Sequence, residues 1–281
     1  MNRNIENVQR GEEVTRPAWP IIIGGCHRSG TSLVRRILDA HSKIDCGPEV
    51  KFLKDWNGDY FVDPLRHLRF LESARSILPA EEVFQIAGEA FIRMHTRAAE
   101  LAHKQRWADK NPENVIWLHQ WEQLLGRDWV FIHVARNPLD TLASIADANF
   151  KLSIPESLDE RIEHFILYSQ PGLAYQRAHS DRVYRITYEC LVTDPWTEIV
   201  KLMEWLGEKA QDGQLDFNSF PHQPGLEDPK IGRSQDIHVD SIGRWRNFFN
   251  GDETEKIVSR TRDIWEQLDP EGVYPLEGLG H

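Results

Sequence analysis

Gly25 and Gly30 frame a short polar stretch, Cys26-His27-Arg28-Ser29, and Thr31 and Ser32 follow at once. Glycines at this spacing let a backbone turn sharply and aim its N–H groups at one point. Hydroxyls and a guanidinium then add side-chain donors around that point. The chemistry implied is anion binding. The spacing is that of the phosphate-binding loop G-x-x-x-x-G-K-S/T, but Thr31 stands where the lysine would reach the β- and γ-phosphates. A magnesium triphosphate held in the usual way is therefore not expected, and Arg28 supplies positive charge from inside the loop. Taken alone, the stretch could also be a plain strand-to-helix turn.

The elements that must position this loop are legible on either side of it. Ile21-Ile22-Ile23 is a short β-branched run, and Leu33, Ile37 and Leu38 give the next segment a helical stripe over Thr31–His41. Ile44–Gly47 reads as a second strand, broken at Gly47-Pro48-Glu49. Residues 51–79 are mixed, partly helical, and either a wall of a substrate pocket or a surface excursion. Residues 80–104 have helical periodicity. A strand ends near Trp107–Lys110, and Asn111 with Pro112 reads as the cap and first residue of a helix through Leu125. The apolar run Trp129–Ala135 is the clearest strand, of the kind buried on both faces of a parallel sheet. Helices follow at Leu139–Ala148 and Glu160–His179, then a strand at Arg182–Thr187. A helix capped by Asp194 runs to Leu206, and the last one spans Asp252–Leu268. Residues 207–237, rich in Gly, Pro, Asp and Gln, are too many for a simple connection.

This alternation predicts an α/β chain: a three-layer, P-loop-like fold with a central, mainly parallel sheet flanked by helices. The expected organisation is a flexible N-terminal arm over 1–18 and a single domain over 19–281. The 281 residues are 40% hydrophobic and 27% charged, with a net charge of −11. That balance argues against a nucleic-acid partner, which needs a basic face. No run reaches the ~18 apolar residues of a membrane span, and the first residues lack a signal-peptide core, so a cytoplasmic protein is expected. Cys26, Cys46 and Cys190 have neither disulfide-framework nor metal-like spacing. Cys26 is either a reactive thiol or a small loop residue, and most of the ten tryptophans are expected to pack in the interior.

In a parallel sheet the loops after the strands share one edge, and ligands bind there. Arg28 follows the first strand, Asp109-Lys110 ends another, and Arg136 follows a third. Ser144 lies two helical turns beyond Arg136. Three cations converging in an acidic chain suit a small anion with two separated phosphate-like ends.

In these residues the chain resembles the sulfotransferases that use 3′-phosphoadenosine 5′-phosphosulfate (PAPS), in the branch of tyrosylprotein sulfotransferases and related bacterial enzymes. His27-Arg28-Ser29-Gly30-Thr31-Ser32 is similar to that family's 5′-phosphosulfate loop, P-R-S-G-T-S/T, with His27 where proline is usual. Leu38-Asp39-Ala40-His41 and Cys46-Gly47-Pro48-Glu49 resemble its L-D-A-H and C-G-E-E stretches. Val134-Ala135-Arg136-Asn137 through Ser144 resembles its 3′-phosphate site, with Ala135 interposed. Asp109-Lys110-Asn111-Pro112, Tyr188-Glu189-Cys190-Leu191, Arg233-Ser234 and Ile242-Gly243-Arg244-Trp245 resemble further segments in the same order, over about residues 20–250.

The resemblance implies a PAPS-dependent sulfotransferase that moves a sulfuryl group in line to a hydroxyl, leaves PAP as product and needs no metal. It implies catalytic roles for Glu49 as base and for Arg28, Lys110 and Ser234. Donor binding is implied for Arg28, Ser29, Gly30, Thr31, Ser32, Arg136, Ser144, Tyr188, Ser234 and Arg244. Such a transfer is mostly positioning and charge stabilisation. A glutamate with a reference pKa of ~4.3 is ionised at neutral pH, and partial burial is expected to activate it further. His27 reads as a plain loop residue rather than a second base. The acceptor could be a small molecule, a lipid, a glycan or a peptide tyrosine. The acidic balance disfavours an acidic peptide or polyanionic glycan and leans towards a small or lipid-like hydroxyl. The competing readings are a P-loop nucleotide kinase or triphosphatase, which Thr31 opposes, and a non-catalytic nucleotide-binding protein, which the presence of Glu49 and Lys110 opposes.

Overall fold

The computed structural model describes residues 18–58, 73–148, 155–227, 231, 236–274 and 276. Five strands form the sheet: β1 (Ile21–Gly25), β2 (Ile44–Asp45), β3 (Arg106–Lys110), β4 (Val130–Ala135) and β5 (Val183–Thr187). They are hydrogen-bonded in the order β2-β3-β1-β4-β5, and every pairing is parallel. The chain builds one side of β1 with β2 and β3, then crosses to build the other with β4 and β5. The loops after β1, β3 and β4 therefore emerge side by side, at the crevice where an open α/β sheet takes its ligands.

Alternation along the strands explains the layers. Ile21 and Ile23 face one side of the sheet, with Val130, Ile132 and Val134; there they meet Leu33, Val34, Ile37 and Leu38 of helix α1 (Thr31–Asp39). Ile22 and Phe131 face the other side, where Trp121, Trp129, Phe165 and Trp265 pack. Those aromatics come from α4 (Leu118–Leu125), the lead into β4, α6 (Leu158–Ala178) and α9 (Gly251–Leu268). A strand covered on both faces has no solvent side, which is why Trp129–Ala135 is apolar almost throughout. Between these lie α2 (Phe52–Asn57), α3 (Ala80–Leu101), α5 (Pro138–Asp147), α7 (Tyr188–Thr193) and α8 (Pro195–Trp205).

Several expectations need correction. Asn111 and Pro112 do stand at the cap and first positions of an element, but Asn111 makes no side-chain cap bond, and its amide nitrogen donates to Val50 O and Asp109 Oδ1. The segment after Pro112 is a 3-10 turn, Pro112–Ile116, and α4 starts only after a break at Trp117. The second strand is shorter than expected. The short helix α7 was not foreseen, because it follows β5 without a loop. Asp194 does accept from Thr197 N as expected, at 3.4 Å, while α9 is opened by Asn250 in a reciprocal pair with Glu253. The expected arm over 1–18 lies, but for its last residue, outside the described residues, as do 59–72 of the mixed stretch. No helix among the described residues is long and apolar enough to cross a membrane.

Candidate active site

The anion loop is built by steric exclusion. Gly25 has φ 154°, and a Cβ there would come within 2.2 Å of Val134 O; at Gly30, with φ 98°, it would meet Tyr188 Cδ2 at 2.5 Å. Only glycine fits either place. Between them Ser29 N closes on Cys26 O at 3.1 Å, and Arg28 takes the left-handed φ of 70°, uncommon for a non-glycine residue. The loop feeds directly into the N-terminus of α1, whose first N–H groups favour an anion. Cys26 is buried, and burial pushes its thiol pKa up, which fits a small packing residue rather than a reactive thiol.

Arg28 Nε donates to Ser144 Oγ at 3.2 Å, so α5 is tied to the loop as the spacing suggested. Arg136, at the end of β4, donates from Nη1 to Arg28 O at 2.9 Å and from Nη2 to Ser241 O at 2.7 Å. Its guanidinium carbon lies 4.4 Å from the centre of the Tyr188 ring, within cation–π reach. A cavity of about 370 Å³ opens beside these groups, lined by Arg28, Gly30, Ser32, Arg136, Ser144, Tyr188 and Arg244. Ile231, Asp236, Ile237, His238, Asp240 and Ser241 also line it. Ser29 and Thr31 are buried inside the loop rather than on the wall. Arg244 is paired with Asp147 at 3.2 Å and is partly exposed. Ser234 lies outside the described residues.

Lys110 ends β3 on the other side of β1. Its buried ammonium donates to Ser32 Oγ at 3.0 Å and to Glu49 Oε1. Glu49 sits on the loop after β2, held by Glu49 N to Leu226 O at 3.0 Å. The same loop is pinned by Arg35 Nε, 2.9 Å from both Cys46 O and Gly47 O. Arg35 and Arg36 both clamp Glu227 at 2.8 Å, so residues 223–227 act as a strap across the loop. Glu49 Oε2 also meets Lys51 Nζ at 2.6 Å. Burial pushes the Glu49 pKa up, but Lys110 and Lys51 outweigh it and hold the carboxyl below its ordinary value. This corrects the expectation that burial would strengthen the base.

The three strand-end cations and Glu49 are thus at one edge, with Lys110 bridging the anion loop and the Glu49 loop. Sequence reasoning missed Lys51, Glu113 and Ser241. Lys51 and Glu113 look like solvated surface charges in the sequence, and Ser241 acts through its backbone carbonyl, which leaves no side-chain signal. The sulfotransferase family profile matches residues 20–212.

The chain belongs to the sulfotransferase family. A Caenorhabditis briggsae sequence named for protein-tyrosine sulfotransferase is 25% identical to this sulfotransferase over 248 residues, covering 84% of each chain. The Drosophila melanogaster protein-tyrosine sulfotransferase is 24% identical over 283 residues, covering 95% of this chain but 54% of its own length. Among solved structures, the sulfotransferase domain of the Synechococcus PCC 7002 olefin synthase superposes with a TM-score of 0.62 at 19% identity, covering 90% of this chain and 98% of that one. The last likeness is one of fold, and the five-stranded parallel sheet between helices is the P-loop-like sulfotransferase architecture.

Proposed function

We propose that this sulfotransferase moves the sulfuryl group of PAPS to a hydroxyl acceptor, with Glu49 as general base. The observation that supports this most is the position of Lys110, whose one ammonium touches both Ser32 of the anion loop and Glu49. One cation thus lies within hydrogen-bond reach of both the anion loop and the base, which brings the groups of an in-line transfer to one place.

The donor's charge fits the residues present. Arg136, on the cavity wall, has its Nε buried without a hydrogen-bond partner among the described residues, and a phosphate oxygen satisfies such a donor. Arg136, with Ser144 and Tyr188 beside it, would hold the 3′-phosphate. Arg28, Ser29 and the loop N–H groups through Ser32 would hold the 5′-phosphosulfate, and Arg244 would line the nucleotide pocket while still paired with Asp147. Ser234 is assigned, on the family resemblance alone, to the same oxygens. Glu49 takes the acceptor's hydroxyl proton as the acceptor oxygen bonds to sulfur. The bond from sulfur to the bridging oxygen breaks, and that oxygen leaves on PAP with the electron pair. Lys110 stabilises this developing charge, and in turning to it releases Glu49 to act as base. Charge stabilisation of this kind is commonly the largest catalytic contribution.

The acceptor is a hydroxyl, and the names of the two relatives favour a phenol such as peptide tyrosine over the small or lipid-like alcohol that the acidic composition favours. Calorimetric titration with PAP, alongside ATP–Mg²⁺, tests the donor. Tight PAP binding with little response to ATP–Mg²⁺ is expected; the reverse would return the chain to the kinase reading. Transfer of labelled sulfate from PAPS to a tyrosine-containing peptide, compared with an aliphatic alcohol, then tests the acceptor.

A further inference from the structure

Glu113 takes no part in the transfer as described, yet its side chain is only 1% exposed. It lies in the 3-10 turn after β3 and receives Lys51 Nζ at 3.0 Å and Lys54 Nζ at 2.9 Å. His27 Nε2 is 3.6 Å away. These partners lead in two directions. Lys51 continues to Glu49, at 2.6 Å. His27 belongs to the anion loop, next to Arg28, and its Nδ1 meets His164 Nε2 of α6 at 3.1 Å. A single buried carboxylate is thus linked to the base on one side and to the donor loop on the other.

Burying a carboxylate costs several kcal/mol unless it is paired, and Lys54 alone would pair this one. Lys51 is different, because it is shared. Glu49 faces Lys110 from β3 and Lys51 from the approach to α2. Around Glu113 stand Lys54 and His27, with His164 behind. Burial lowers the His164 pKa to about 3, so it is neutral at physiological pH. On the far side of the Glu49 loop, Arg35 is committed to Glu227. A carboxylate that carried two whole lysines would be a poor acceptor of a proton, since each nearby cation favours the ionised form.

We propose that Glu113 is a positioning residue for Glu49, acting through Lys51: it divides Lys51 between two carboxylates, so that Glu49 never holds the full charge of two lysines. This rests on Glu49 being the base. Once Lys110 turns to the donor, Glu49 retains a share of one lysine. That share holds it in place without suppressing its basicity. His27 ties the same acid to the loop that grips the donor, which sets the distance between base and sulfonate.

The test is the titration of the Glu49 carboxyl, followed by carbon NMR in the full chain and assigned with Glu49→Gln. Glu113→Gln commits Lys51 to Glu49 and is expected to lower the midpoint by about 1 pH unit, the size of one neighbouring charge. Lys51→Met is expected to raise it by about 1 unit. Opposite signs are required, and the signature of action through Lys51 is that Glu113→Gln shifts the midpoint much less in the Lys51→Met background. An unchanged midpoint in Glu113→Gln, or shifts of the same sign in both variants, overturns the proposal. Should Glu113→Gln fail to fold, Lys54→Met carries the test. It leaves Glu113 short of a partner, draws Lys51 away from Glu49 and is expected to raise the midpoint; no rise overturns the proposal. Turnover of Glu49→Gln judges whether Glu49 is the base, while the titration judges only Glu113, so either can fail alone.

Discussion

Two buried regions of this sulfotransferase treat their carboxylates in opposite ways. On the Glu49 side, burial raises the pKa of Glu49 and Glu113, but Lys110 and Lys51 beside Glu49, and His27 followed by Lys51 and Lys54 beside Glu113, overrule it and hold both below the ordinary carboxylate range. On the donor side, burial raises Glu189 to about 7 and the nearby Arg136 offsets only part of it. Glu189 accepts from Asn137 N at 3.0 Å at the start of α5, and its other oxygen has no hydrogen-bond partner among the described residues. Lys51, Lys110 and Arg136 follow the same division. Lys51 and Lys110 are bonded to carboxylates, whereas the hydrogen bonds of Arg136 go to the backbone carbonyls of Arg28 and Ser241. A carbonyl orients a guanidinium without neutralising it. A carboxylate does both. On the proposed reading, the Arg136 side would keep positive charge for an incoming anion, and the Glu49 side would balance its charges so that one proton could move.

The sharpest way to break this contrast is Glu49→Gln. Turnover is expected to fall by about 10²–10⁴-fold, the usual worth of a positioned base, with PAP affinity little changed in calorimetry. A near-normal rate would remove Glu49 as base. Next in size is Glu189→Gln. The native pKa of about 7, against an ordinary value of 4.5, means that the folded chain binds more protons than the unfolded one between those pH values. Stability from this group is fully present below pH 4.5 and is lost as pH rises through 7. The Gln variant lacks that loss, so its advantage over the parent chain should grow with pH across the window, by up to roughly 3 kcal/mol. Thermal melts from pH 5 to 8 check this, and a parallel pH dependence in both chains would place the Glu189 pKa near normal.

Smaller effects sharpen the donor side. Arg136→Ala is expected to weaken PAP by about 2–3 kcal/mol, on the scale of hydrogen bonds to a charged group, with much less loss for an analogue without the 3′-phosphate. Equal losses for both ligands would make Arg136 structural. Arg244 lines the same cavity but is already partnered by Asp147 and partly exposed, so Arg244→Ala should cost no more than about 1 kcal/mol of PAP affinity. A larger loss would show that Arg244 abandons Asp147 for the nucleotide.

Most of the donor side was legible in the sequence because its signals are local. Gly25 and Gly30 mark a backbone path that no other residue can take, and the apolar run before Arg136 marks a central strand. The hydroxyl of Ser144 falls two turns into the helix expected from Leu139, which in the structure starts at Pro138 with Asn137 as its cap. The errors arose where tertiary partners competed for a side chain. Asn111 has the right chemistry for a cap, but Val50 O and Asp109 Oδ1 fix its amide nitrogen, and its Oδ1, the atom a cap would use, accepts no hydrogen bond among the described residues. Partial burial of Glu49 was foreseen, but not the two lysines that reverse its effect.

By itself the sequence determined the alternation of strands and helices, the anion loop and the cations at the strand ends, because each depends on neighbours a few positions away. Only the tertiary structure decided that Lys110 reaches Glu49 across 61 positions of chain, that Lys51 is shared with Glu113 across 62, and that Arg136 rests on the carbonyl of Ser241 across 105. Charge pairs of this kind have no period and no local signature. Coulomb energy depends on distance through space and on the local dielectric, and the packing of the sheet and its helices fixes both.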